Sequence, residues 1–593
     1  MKILAINAKQ SGATPSFARK LKDEEKRAAK KDIEQGLRVL DKTMTIILPT
    51  NCSPSYANED IGIGQPYSAC SKEDLYPFLS NWGFSAQQRQ PSGLGKQSDA
   101  SPYVSNSSAY NTGIIDLFEL TKKENGGLLS NETYEEIIKN NPKKGRSRSS
   151  YTYSVETTKM ALKEAYETFV KKNNIIESIN PKEQEAIKNL ADEFEIFKKQ
   201  HGKEQEKNAL YNILTEIHQN DYWPNWENET DRNLFASPKS KKEEIKKEER
   251  LTELKIEYKD EIDSFLFSQM LAKKTLDEGQ KVLIKNGIKA IGDIPVAFSD
   301  AEVWGNKDLF LEDLRMGCKE PWKDEPQRWG FFVLDPNQLF NQDGSLGKAG
   351  QFLYDKYLRA FSENKGGVRI DHIVGLMDPY VYNDKNLYQQ GRLYSEMYKG
   401  TNGHNNDRIL KQIVIPAANK VGLSASNIIA EDLGYMPPGT KQTLSSLGIG
   451  GISVTQWMNA HEVWNAPNYN AIMVSNHDTA SAKELYPDKY ERKNKFAELF
   501  SSGAKNIQIF WTDLFGIGER YNKPGVSGDE NWSLRLKHDF IDTYHKRLED
   551  NEAVNIPEAI LEANRRRNPN FNRDYFELAN SLQHWSNTLK EKE

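Results

Sequence analysis

Three short apolar runs in this 593-residue chain end in acids. GGVRIDH places Asp371 beside Arg369 and His372, NIIAEDLG places Glu431 beside Asp432, and AIMVSNHD places Asp478 beside His477. Short apolar runs of this kind, with Gly or Asn nearby, are predicted strands. In one parallel barrel their C-terminal ends converge on a single mouth, so Asp371, Glu431 and Asp478 would meet there. A lone acid after a strand commonly caps a helix or hydrogen-bonds a loop, a reading that fits Asp432 and Asp293. Three acids with an arginine and a histidine at the same edge point instead to a catalytic cluster. Glycosidic cleavage is chemistry of this type. One carboxylate attacks the anomeric carbon, an acid protonates the leaving oxygen, and a third carboxylate holds sugar hydroxyls around an oxocarbenium-like transition state. The attacking group must stay ionised. Arg369 lies two residues before Asp371 on the same strand face and can favour that form, whereas Glu431 needs a raised pKa to arrive protonated. His477 can donate to a sugar hydroxyl. A metal site is the competing reading, but the sequence has no close acid cluster such as DxDxDG.

The elements that would position these residues repeat along the chain. MTIILPT (44–50) reads as a buried strand, and 83–91 as a second with a weaker apolar signal. IKAIGD (288–293), GGVRID (366–371), NIIAED (427–432), GISVTQW (451–457) and NAIMVSN (470–476) follow, with helical stretches between most of them. Strands alternating with helices predict an α/β fold with a parallel sheet, and the one-way series suggests a (β/α)8 TIM barrel interrupted after its second strand. Four segments are expected: an N-terminal helical extension (1–43), a first part of the barrel (44–120), a large, mainly helical insertion (121–262) and the remainder of the barrel (263–593). No separate C-terminal β-domain is expected. Phe17 to Lys42 reads as an exposed helix. KSKKEEIKKEERLTELKIEYKDE (239–261) reads as a solvated helix laced with i,i+4 ion pairs, and 265–287 as a helix leading into the third strand.

Composition narrows the classes. A net charge of −5 excludes a basic nucleic-acid binder by bulk electrostatics. Cys52, Cys70 and Cys318 are too few for a disulfide scaffold, fit no zinc spacing and suit a reducing compartment. No apolar run approaches the ~20 residues of a membrane span. The opening MKILAINAKQSGA has too short an apolar stretch for a signal peptide, so a cytoplasmic protein without membrane partners is expected. The chain is 37% hydrophobic and 28% charged, yet its 11 Trp, 26 Tyr and 24 Phe are too many for a disordered chain. Aromatic rings also suit pyranose faces.

Taken together, VRIDH, IIAEDLG and the HD of VSNHDT resemble the three catalytic segments of the amylomaltases, the 4-alpha-glucanotransferases (disproportionating enzymes) of the alpha-amylase clan. Further segments resemble that family in its order: ILPTN with GIG (62–64), PSGLG…SPY…N…IDL (91–117), IGDIP…AEVW (291–304), QRWG (327–330) and GERYNKPG…NWSLR (518–535). The resemblance covers about Thr43 to Arg535, and the 121–262 stretch matches poorly. It implies Asp371 as nucleophile, Glu431 as general acid/base and Asp478 as transition-state stabiliser, in a retaining double displacement. It further implies substrate contacts from Arg369, His477, Asp300, Trp304, Tyr103 and Trp329. The implied partners are maltooligosaccharides, α-1,4-glucans and glucose, with no nucleic acid, no cofactor and no metal, and a monomer or homodimer. A proton and a sugar move, and no phosphate-binding GxxxxGK[ST] loop is present.

Some segments depart from the family pattern. Ser299-Asp300-Ala301-Glu302-Val303-Trp304 shifts the acid of the third-strand segment by one position. The loop expected to overhang the site, GCKEPWKDEPQRWG (317–330), continues as Gly-Phe-Phe, and His477-Asp478 is followed by Thr-Ala-Ser. These departures bear on acceptor preference and on transfer against hydrolysis. The alternatives are an α-1,4-glucan hydrolase of the same clan and a non-catalytic glycan-binding barrel.

Overall fold

The computed structural model describes residues 21–319, 326–385, 391–397, 406–526, 528 and 530–590. Residues 1–20 of the expected N-terminal extension and 320–325 of the expected overhanging loop lie outside the described residues.

Eight parallel strands form the centre. In chain order they are Thr43–Ile47, Ala86–Gln88, Lys289–Ile294, Gly367–Ile370, Ile428–Ala430, Ile452–Val454, Ala471–Met473 and Asn506–Phe510. Each pairs with the next, except that the fifth and sixth meet through a single bridge, Ile429 to Gly450. There Ala430 N–H donates to the Gly450 carbonyl at 2.7 Å. The first strand pairs with the eighth, Thr43 opposite Asn506, so the ring closes as a (β/α)8 barrel.

Two strands bury amide side chains in place of apolar ones. The second carries Gln87 and Gln88, both buried. Gln87 Nε2 donates to the Leu48 carbonyl at 3.0 Å, and Gln88 Oε1 accepts from Gln508 Nε2 at 2.8 Å. The eighth strand, NIQIF, has the same character: buried Gln508 takes part in that bond, and Asn506 Oδ1 accepts from the Thr45 hydroxyl at 3.1 Å. Neighbouring strands supply the partners that make buried amides tolerable.

Helices fill the connection between the second and third strands: Asn131–Asn140, Tyr151–Asn174, Pro181–His218, Lys241–Glu257 and Lys259–Lys285. Their inner faces pack through aromatic rings. Phe267 stacks on Phe169 at 4.6 Å between centroids and meets Phe194 edge-on at 5.4 Å. Lys241–Glu257 starts at Ser240, whose hydroxyl accepts from Glu243 N–H. Its ion pairs include Lys247 with Glu243 and Arg250 with Glu253, and Lys247 is buried along with Leu254.

The helix Asp23–Val39 is not exposed throughout, as its charge count suggested. Ala29, Ile33, Gly36 and Leu37 make one buried face, spaced at helical intervals. That face packs on the C-terminal helices Ile556–Arg567 and Phe576–Thr588: a Cβ on Gly36 would sit 2.6 Å from Ile560 Cγ2. Trp585 Nε1 also donates to Asp32 at 2.8 Å.

Beside the barrel, a four-stranded antiparallel sheet runs Arg392–Leu393, Tyr380–Asn383, Phe310–Cys318, Gln327–Leu334. The segment expected as a loop over 317–330 therefore begins and ends in strands, and Trp329 belongs to a strand. Alternation of Arg328, Gly330 and Phe332 with Trp329, Phe331 and Val333 fits that assignment. Cys52, Cys70 and Cys318 form no disulfide with one another. No described helix is long and apolar enough to cross a membrane.

Candidate active site

The carboxylates arrive from different strands at one end of the barrel. Asp371 follows the fourth strand, Glu431 the fifth and Asp478 the seventh. Arg369 sits within the fourth strand and is buried. Its Nη1 lies 2.8 and 2.9 Å from the two oxygens of Asp293, at the end of the third strand, and 3.0 Å from Asp371 Oδ1. Tyr103 Oη donates to Asp293 Oδ2 at 2.9 Å and lies 3.0 Å from His477 Nε2. His477 Nε2 is 3.1 Å from Asp478 Oδ2, and Asn522 Nδ2 donates to Asp478 Oδ1 at 2.7 Å. One connected network thus runs from Asp371 through Arg369, Asp293, Tyr103 and His477 to Asp478.

Glu431 is held differently. Its two oxygens accept backbone N–H groups, from His372 at 2.8 Å and from Leu433 at 3.0 Å. The first of these donors belongs to the residue that follows Asp371, so the two carboxylates share one stretch of backbone. His372 adopts φ +40°, a left-handed conformation uncommon outside glycine. Gly375 leaves room for its ring: a Cβ there would sit 2.9 Å from His372 Cδ2.

The electrostatics separate the carboxylates. Burial pushes the Glu431 carboxyl up, against Arg369, and Asp371 adds its repulsion; the outcome is a pKa of about 7. Asp478 goes the other way. Burial works against its charge, but His477 and the Asn522 hydrogen bond outweigh it and hold it at about 2. Burial likewise disfavours a charged His477, yet Asp478 raises it above the ordinary histidine value. Arg369 is desolvated, but Asp293 and Asp371 keep it firmly cationic. The side chains of Asp371 and Asp478 are 22% and 46% exposed, so both remain open to a ligand.

Other expected residues scatter. Tyr103 joins the network, and its ring stacks on His477 at 5.3 Å. Trp329 meets His372 edge-on at 4.9 Å, beside Asp371, and its Nε1 donates to Gln327. Asp300 begins the helix Asp300–Gly305, and its carboxylate pairs with Lys96 at 3.5 Å. Trp304, expected among the substrate contacts, is corrected: it is 1% exposed. Its Nε1 donates to the Asp231 carbonyl at 2.8 Å, and Trp226, Tyr211 and Phe235 surround it. A ring closed off in this way has no free face for a sugar.

Three residues outside the expected set join or border the site. Asp293 reads in sequence as a cap or loop acid, although it ends a strand as the other acids do. Asn522 and Trp532 lie in GERYNKPG…NWSLR, where nothing singles them out. Trp532 has φ +60° and lies 5.9 Å from both the Tyr103 and the His477 rings. The segment carrying them is tied down from outside: Arg535 makes a two-bond pair with buried Asp60 at 2.7 and 2.8 Å, and Arg148 contacts Glu519 and Ser533. Trp457, directly after the sixth strand, stands exposed at the same rim. Among the described residues, no group of three or more His, Cys, Asp and Glu side chains is arranged to hold a metal ion.

Comparison with known proteins places this architecture. The backbone superimposes on an amylomaltase from Streptococcus agalactiae, solved in complex with acarbose, with a TM-score of 0.64 over 85% of this chain and 98% of that one, at 18% identity. An amylomaltase from Corynebacterium glutamicum gives a TM-score of 0.60 over 93% of this chain and 76% of that one, at 14% identity. These likenesses concern the fold. In sequence, a 4-alpha-glucanotransferase of Chlamydia pneumoniae is 23% identical over 332 residues, 49% of this chain and 60% of the relative. The match thus spans only about three-fifths of that relative's length. A 4-alpha-glucanotransferase of Clostridium butyricum is 25% identical over 511 residues, 79% of this chain and 92% of its own. The family model described as 4-alpha-glucanotransferase matches residues 55–541, from the first barrel connection to beyond the eighth strand, and on that match the chain belongs to the 4-alpha-glucanotransferase family.

Proposed function

We propose that this protein is a 4-alpha-glucanotransferase that moves segments of α-1,4-glucan onto the 4-hydroxyl of glucose or of another glucan. The observation that carries the reading is the convergence of three acids from three strands on one mouth, with Asp371 paired to Arg369 at 3.0 Å and Glu431 held by two backbone N–H groups, one of them from the residue after Asp371. Family membership supports the same reading.

In this mechanism Asp371 attacks the anomeric carbon of the donor sugar and Glu431 gives its proton to the departing glycosidic oxygen. The carbon–oxygen bond to the leaving glucan breaks as the bond to Asp371 forms. Glu431, now a carboxylate, takes the proton from the incoming 4-hydroxyl. That oxygen then displaces Asp371 and restores the original configuration. Asp478 and His477 hold ring hydroxyls, the Asp478 carboxylate stabilises positive charge near the reacting carbon, and Arg369 pairs with Asp371 and orients it. Tyr103, Trp329 and Trp457 offer aromatic faces to neighbouring sugars. Transfer prevails over hydrolysis when an acceptor fills the site and water is kept out.

The wider organisation belongs to the same proposal. Residues 44–120 and 263–593 form the catalytic barrel, 121–262 is an insertion into it and 1–43 is an extension. The setting is cytoplasmic glycogen, starch or maltodextrin metabolism, and the protein works as a monomer or homodimer. The test is incubation with maltotriose. A ladder of longer and shorter oligosaccharides plus glucose supports transfer. A rise in reducing ends with no longer products refutes it in favour of hydrolysis.

A further inference from the structure

The turn that carries His477 and Asp478 is short and strongly bent. Asn476 N–H donates to the Thr479 hydroxyl at 2.9 Å, and Asp478 N–H to Asn476 Oδ1 at 2.9 Å. These bonds shape the turn but do not fix it to the barrel. Tyr103 and Asn522 hold the tip of the turn through His477 and Asp478, and its two ends are held by a group outside the network. Asp513, in the short helix Trp511–Leu514 directly after the eighth strand, is 3% exposed. Its Oδ2 accepts from the Ser475 hydroxyl at 2.6 Å and its Oδ1 from the Ala482 backbone N–H at 2.7 Å. Ser475 and Ala482 are the two ends of the segment around Asp478, and both are buried. One carboxylate therefore closes both ends of the turn against the last strand of the barrel.

We propose that Asp513 is a positioning residue for Asp478: it clamps Ser475 and Ala482 and so sets where the Asp478 carboxylate stands relative to Asp371 and Glu431. The inference rests on the transferase reading of the site, in which Asp478 stabilises the transition state. A buried carboxylate is a costly choice for a merely structural bond. Burial pushes this one up to about 6 against the two donors and Arg492. Its two oxygens on one rigid fork serve both ends of the turn at once, which a single-acceptor side chain could not do. Displacements of about 1 Å in a reacting group are worth about a hundredfold in rate.

The experiment is a double-mutant cycle between Asp513 and Asp478, read on an α-maltosyl fluoride donor, which reacts without a protonated leaving group. Asp513→Ala in the otherwise native chain is expected to lower kcat at least tenfold with KM within twofold. In an Asp478→Asn background it should lower kcat by less than twofold, because the group it positions is already neutralised. Asp513→Asn should recover most of the lost kcat, since an amide can accept from Ala482 and donate to the rotated Ser475 hydroxyl. Equal losses in both backgrounds, or wild-type kcat in Asp513→Ala, overturn the proposal. If Asp513→Ala does not fold, Ser475→Ala, which removes one of the two bonds, is read in the same two backgrounds by the same criterion. Wild-type fluoride release without a maltotriose ladder refutes the transferase reading and leaves the clamp test intact. No turnover of either substrate overturns both.

Discussion

Glu431 offers a sharp test of the proposed mechanism, because the acid role proposed for it and its environment together set a measurable pH. Bond cleavage requires the protonated form, and kcat/KM for the donor reports that first step on the free enzyme. With the carboxyl at about 7, the protonated fraction falls from roughly nine-tenths at pH 6 to roughly one-tenth at pH 8, so kcat/KM drops about tenfold over that interval. A glutamate near its ordinary 4.5 would give a break about two and a half units lower and a drop of about a hundredfold between the same two pH values. The assay is initial glucose release from maltotriose between pH 4 and 9, with stability checked separately at each pH. Glu431→Gln should lose about 10²- to 10⁴-fold on maltotriose and lose the basic limb with it. On a glycosyl fluoride the loss should be much smaller, since fluoride leaves without a proton. A break near 4.5, or a basic limb that survives in Glu431→Gln, would refute the assignment of the acid.

Other outcomes follow from the same geometry. Tyr103→Phe removes the donor to Asp293 and the contact with His477; losing one hydrogen bond to a charged group, worth about 1.5–3 kcal/mol, should lower kcat/KM on maltotriose by about ten- to a hundredfold. Asn522→Ala removes a bond that holds the Asp478 carboxyl down, so that carboxyl should titrate above about 2 and kcat/KM should fall more steeply between pH 6 and 4 than in the wild type. Trp304→Ala should destabilise the fold by about 3–5 kcal/mol in thermal or urea unfolding while leaving the maltotriose KM within twofold; a large rise in KM in the folded protein would return Trp304 to the substrate site.

What the sequence conveyed depended on how each residue is satisfied. The fifth and seventh strands are continuous apolar runs and the fourth is broken only by Arg369, and the acids at their ends are legible together because a parallel barrel leaves them little choice of edge. NIQIF of the eighth strand was not picked out, and the second strand gave only a weak signal. Their buried glutamines and the half-buried Asn506 find partners on or next to adjacent strands, and that pairing leaves no trace in a hydropathy pattern. Asp293 illustrates the same limit at the site. An acid after IG could cap a helix or bind an arginine, and only the approach of Arg369 and Tyr103 decides between them. Trp304 errs in the opposite direction. A tryptophan in a glycan-like motif suggests a ligand, yet a carbonyl from Asp231, far away in sequence, takes its N–H. The helix Asp23–Val39 was obscured by its charges, although Ala29, Ile33 and Leu37 already lay on one face.

The pairing of the first strand with the eighth constrains the order in which the molecule can be built. Thr45 finds Asn506 only after the intervening chain has been made, and contacts of such long sequence separation form slowly and late. Until then Thr43–Ile47 is an open sheet edge, apolar and able to pair with another chain. The helices between the second and third strands make largely local contacts and can form earlier. The mouth draws on Tyr103, Arg369, Asp478 and Asn522, so it is completed only with the final closure. Nascent or truncated chains that stop short of Asn506 are therefore the aggregation-prone species, and they are inactive for the same reason.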